Sequence, residues 1–66
     1  MKIAIRRPNK VNTAENTPAA VWPLREVIDV STWGEAWARA GATPVNAHGV
    51  GQTPAGGLVY LDRLPR

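Results

Sequence analysis

Between Ala40 and Leu61 the chain carries no Asp, Glu, Lys or Arg, so a third of a 66-residue sequence has no formal charge. Glycines at 41, 49, 51, 56 and 57 and prolines at 44 and 54 punctuate the stretch. It therefore reads neither as a membrane span nor as a charged solvent-facing loop. Structureless segments of this length are uncommon inside self-contained domains. A neutral segment of this kind must lie against something, and residues 41–57 are expected to be irregular and ordered by packing on a partner chain.

The rest of the chain offers little to pack against. Residues 1–66 make at most one small domain, of a size that buries only about 60% of its unfolded surface. The hydrophobic fraction of 44% overstates the core, because 10 of those residues are alanine and none is Phe. Aromatic weight rests on Trp22, Trp33, Trp37 and Tyr60. Without cysteine there is no disulfide and no thiolate metal site to reinforce a small core. The balance of apolar burial against chain ordering for such mini-proteins comes out near zero, which points to a chain that needs a neighbour.

The net charge is +3, and its placement matters more than its size. Lys2, Arg6, Arg7 and Lys10 fall in the first ten residues, before the first acid at Glu15. These four are the candidates for contacts with phosphate or an acidic protein surface. The competing reading is a strand at a sheet edge whose cations discourage aggregation. The apolar run Ile3-Ala4-Ile5 stops at Arg6, short of a signal-peptide core, and no run approaches the ~20 residues of a membrane span. A protein that is cytoplasmic at synthesis, ending in a virion or another large assembly, is the expectation.

The patterning predicts an α+β fold with about three short strands, near residues 2–6, 25–30 and 57–61, and one short helix at 33–40. Lys2-Ile3-Ala4-Ile5-Arg6 alternates as a strand does. Thr17-Pro18 resembles a helix start, with Thr17 as the cap, but Pro23 limits it to a single turn. Leu24 to Val30 has some helical spacing, yet the β-branched run Val27-Ile28-Asp29-Val30 favours a strand. Thr32-Trp33-Gly34-Glu35 fits a capping box, and Trp33, Ala36, Trp37 and Ala40 share one helical face. Gly41 and Pro44 then end the helix, which at about two turns must dock through its tryptophans. Leu58-Val59-Tyr60-Leu61 reads as a buried strand.

Trp33 and Trp37 form the strongest constellation, since tryptophan is the characteristic anchor of protein interfaces. Trp22, Val45, Val50 and Tyr60 complete the set of candidate partner-binding residues. His48 stands alone, without the second histidine, cysteine or clustered acids that a metal site needs. Gly49-Val50-Gly51 begins like a dinucleotide loop, but Pro54 occupies the third glycine position; in the P-loop reading, Gly57 stands where lysine is required. The five acids are scattered. No catalytic residue, cofactor or metal is expected, and neither is a membrane partner. The function read from the sequence is a non-enzymatic interaction protein, an accessory, cement or decoration subunit of a larger assembly such as a phage particle. Two alternatives stand beside it: a regulatory or inhibitory protein that binds a host enzyme or polymerase, and a basic nucleic-acid-binding accessory using the N-terminal cations.

Overall fold

The alternation at the start of the chain does form a strand, β1 (Lys2–Arg6), and it lies in the interior of a sheet. The computed structural model describes residues 1–46 and 48–65. After β1 come a 3-10 turn at Ala19–Val21, β2 (Leu24–Asp29), α1 (Trp33–Ala40), β3 (Thr43–Pro44), β4 (Val50–Gln52) and β5 (Leu58–Arg63). Every pairing is antiparallel, in the order β2-β1-β5-β4-β3. The protein is thus a small, sheet-dominated α+β fold with five strands rather than three. Residues 24–29 form a strand, as the β-branched Val27 and Ile28 imply.

Register explains the core. Ile3 lies opposite Ile28 in β2 and Arg63 in β5, and Ile5 lies opposite Glu26 and Leu61. Directly opposed residues share a face, so Ile3, Ile5, Ile28, Val59 and Leu61 line one side of the sheet. α1 covers that side through Ala36 and Ala40, and Val30 joins the same cluster. Each fully buried isoleucine contributes about 1.5–3 kcal/mol, which makes β1 the energetic centre of the fold. α1 also carries the chain from β2, at one edge of the sheet, across to β3 at the other.

Several expectations are corrected. β1 is flanked on both sides, so its cations do not guard an edge; the edges are β2 and β3. Residues 41–57 are not wholly irregular, because they supply β3 and β4. Val50, Gly51 and Gln52 pair with Tyr60, Val59 and Leu58, and Thr43 and Pro44 pair back on Gln52 and Gly51. These strands, two and three residues long, are too short to show a period. Ala47, inside that segment, and Arg66 lie outside the described residues.

β2 starts one residue earlier than expected and ends at Asp29, while β5 runs 58–63 because Asp62 and Arg63 continue pairing with Ala4 and Ile3. Thr17 does not cap a helix. Pro18 holds the cap position of the 3-10 turn with no side-chain bond, and the Thr17 carbonyl accepts the indole N–H of Trp22 at 3.1 Å. Among the described residues no helix is long and apolar enough to cross a membrane.

Candidate functional site

The start of α1 is built as its sequence implies, with one change. The Thr32 hydroxyl accepts the backbone N–H of Glu35 at 3.1 Å, while the Glu35 carboxylate accepts from Ser31, at 2.6 Å, rather than from Thr32. At the other end Gly41 takes the left-handed conformation, φ 69°, and its N–H closes on the last turn. The Arg7 guanidinium donates to the Ala40 carbonyl at 3.3 Å, placing a cation at the negative end of the helix.

This helix does not dock through both tryptophans. The buried stripe is Ala36 and Ala40, and small side chains there let the helix lie close to the sheet. Trp37 is half-buried and Trp33 is 40% exposed. Room for Trp37 comes from Gly51 in β4, where a Cβ would stand 2.3 Å from the Trp37 Cζ3 and 2.9 Å from the Thr43 carbonyl oxygen. Gly49 is required for a different reason: its φ is +87°, and a Cβ would meet the Leu61 carbonyl oxygen at 2.8 Å and the Tyr60 ring at 3.1 Å.

The loop between β3 and β4 is held by Asn46, whose Oδ1 accepts from the N–H groups of His48 at 2.8 Å and Val50 at 3.4 Å. Val45 also donates to the Val50 carbonyl at 2.9 Å. Loop, helix and β5 together enclose an open hollow of about 490 Å³. Trp33 and Trp37 form one side, Pro44, Asn46 and His48 another, and residues 60–63 of β5 a third. The indole N–H groups of Trp33 and Trp37 have no hydrogen-bond partner among the described residues, unlike that of Trp22.

Of the candidate partner-binding residues, Trp33, Trp37 and Tyr60 are brought together at this hollow. Val45 and Val50 flank it through the bonded loop, Val45 being exposed and Val50 half-buried. Trp22 is 3% exposed and outside the cluster under the helix, so its ring serves the interior. The four cations do not form one patch. Arg6 donates to the Trp22 carbonyl at 3.0 Å and approaches Asp62 at 4.0 Å, a Coulombic contact too long for a hydrogen bond. Arg7 is committed to α1, leaving the exposed Lys2 at the start of β1 and the exposed Lys10 in the loop that follows it.

Two features had little sequence signal. The exposure of Leu24 and Val27 on an edge strand depends on which strand lies outermost, a property of topology. The role of Arg7 depends on a contact spanning 33 residues. Among the described residues no three His, Cys, Asp or Glu side chains gather in a metal-binding group. No protein-family model, curated protein or solved structure matches this chain.

Proposed function

We propose that this chain is a non-enzymatic interaction protein, a small accessory, cement or decoration subunit of a larger assembly, with a phage particle as the candidate assembly. The observation that carries this reading is Trp33. It stands 40% exposed at the rim of a hollow backed by Trp37 and Pro44. A large aromatic group already held on a short helix loses little freedom when a partner covers it, and it brings a donor N–H to the contact. The proposed occupant is a segment of another protein chain that covers Trp33 at the rim of the hollow.

Affinity capture from the native source with wild-type and Trp33→Ala baits tests this. A partner that recurs with wild type and is lost with Trp33→Ala, at unchanged thermal stability of the bait, is the expected result. Equal capture by both baits would refute the hollow as the contact. A regulatory or inhibitory protein bound to a host enzyme or polymerase would use the same surface, and one-to-one stoichiometry with a single captured protein would identify it. The nucleic-acid reading keeps only Lys2 and Lys10 as uncommitted members of the N-terminal cation set, and with so few phosphate contacts its salt dependence would be shallow.

A further inference from the structure

We propose that the protein pairs with a second copy of itself through the free edge of β2, joining two sheets into one. The two edges of the sheet differ. β3 offers two residues, one of them Pro44, whereas β2 offers six residues with no proline among them. A six-residue edge presents a row of main-chain donors and acceptors that a matching strand can satisfy.

The direction of those groups follows from the hydrogen bonds at the end of the strand. Val30 donates to the Met1 carbonyl at 2.9 Å and the Met1 amino group donates to the Val30 carbonyl at 2.6 Å, a mutually bonded pair. Such pairs alternate along an antiparallel ladder, so Ile28 and Glu26 turn their N–H and C=O groups toward β1. Val27 and Asp29 turn theirs outward, to the empty edge.

Symmetry leaves few registers for two identical antiparallel strands, and the charges choose among them. Centring the two-fold axis on Glu26 sets Glu26 against Glu26 of the second copy, a like-charge pair. Centring it on Ile28 places Val27 opposite Asp29 and leaves Arg25 past the end of the strand. Centring it on Val27 joins Val27 to its mate as a mutually bonded pair and brings Arg25, the extra residue that a bulge adds to β2, beside Asp29 of the second copy, twice over. Among the described residues the Arg25 side chain makes no salt bridge or hydrogen bond. The Asp29 carboxylate is 74% exposed and, among the described residues, holds only the Met1 ammonium, at 3.3 Å.

The apolar residues of β2 also favour a contact along this edge. A bulge at Ile5/Arg6 shifts the pairing so that Leu24 lies opposite Arg6, on the face it shares with Val27 opposite Ala4. Leu24 and Val27 are 52% and 47% exposed, and both would lie along the seam. In this setting the edge charges select one register and reject the others.

Sedimentation equilibrium over a dilution series, on the full chain, is the test. Wild type is expected to show a concentration-dependent monomer–dimer equilibrium. Arg25→Asp or Asp29→Arg should each raise the dimer dissociation constant about tenfold, because each change sets like charges opposite at both ends of the seam. The double swap Arg25→Asp/Asp29→Arg should restore it. Val27→Pro, which removes an outward N–H that the monomer does not use, should abolish pairing with native circular dichroism retained. Trp33→Ala should leave it unchanged, which separates this surface from the hollow. A wild type that stays monomeric at every concentration would overturn the proposal, as would a double swap no tighter than the single ones.

Discussion

Gly51→Ala is the most informative single change, because the space it needs is already occupied by two different kinds of neighbour. The added Cβ would stand 2.3 Å from Trp37 Cζ3 and 2.8 Å from Cη2, against an ordinary contact of 3.4 Å or more. Relief of about 1 Å is therefore required from an indole held between α1 and the sheet. The Thr43 carbonyl oxygen, at 2.9 Å, cannot retreat without disturbing the pairing of β3 with β4. Overpacking of this kind costs about 1–3 kcal/mol, and two simultaneous clashes place this site at about 2–3 kcal/mol.

In a domain of this size 1 kcal/mol moves the melting temperature by roughly 4–8 °C, so a fall of about 10–20 °C is expected. Urea unfolding followed by tryptophan fluorescence would give the loss in free energy directly. The specific element of the argument is the ring. In a Trp37→Ala background the same glycine substitution should cost at least about 1 kcal/mol less, a coupling energy typical of residues in contact. A Gly51→Ala protein within about 0.5 kcal/mol of wild type, or two changes that simply add, would refute the packing described for β4 and α1.

Three further outcomes follow from the same structure. Trp22→Ala removes a buried ring and leaves the Thr17 carbonyl without its donor, so a loss of about 3–5 kcal/mol is expected in chemical denaturation, whereas Trp33→Ala should stay within about 0.5 kcal/mol. Gly41→Ala meets nothing within 4 Å and should cost only about 1 kcal/mol, through the left-handed conformation alone; a much larger loss in the same assay would mean that packing also matters there. Native-state hydrogen exchange should find the amides of β1 slowest and those near β3 fastest, because a two-residue edge pairing opens without disturbing the Ile3 and Ile5 core; uniform protection across the sheet would contradict this.

The parts of the fold that were legible in the sequence are those written in local chemistry. Thr32, Glu35 and Gly41 bracket α1 at the expected residues, and the Ile3/Ile5 alternation marks β1. What was not legible depends on distant neighbours. The glycines at 49 and 51 read as loop punctuation, yet they mark where the Tyr60 ring and the Trp37 ring press on the backbone. The tryptophan spacing predicts a common helical face, but spacing alone does not say that the alanines would occupy the core and leave Trp33 outside. Arg6 and Arg7 read as members of a basic patch, whereas one binds the Trp22 carbonyl and the other the end of α1. The neutral run from Ala40 to Leu61 is explained in part by residues that add two strands to the sheet.

Because β1 and β5 stand side by side, Ile3 meets Arg63 across 60 residues of chain, and the strands at the heart of the sheet are those furthest apart in sequence. Closing so wide a loop is entropically slow, which gives this small protein a high contact order and a folding rate well below that of a helical chain of equal length. Until the segment bearing Val59 and Leu61 arrives, Ile3 and Ile5 have only the β1–β2 ribbon and the short α1 to shield them, and a two-stranded ribbon is marginal in water. Loss of residues 58–63 would therefore deprive β1 of its second flank, leaving a species prone to aggregation.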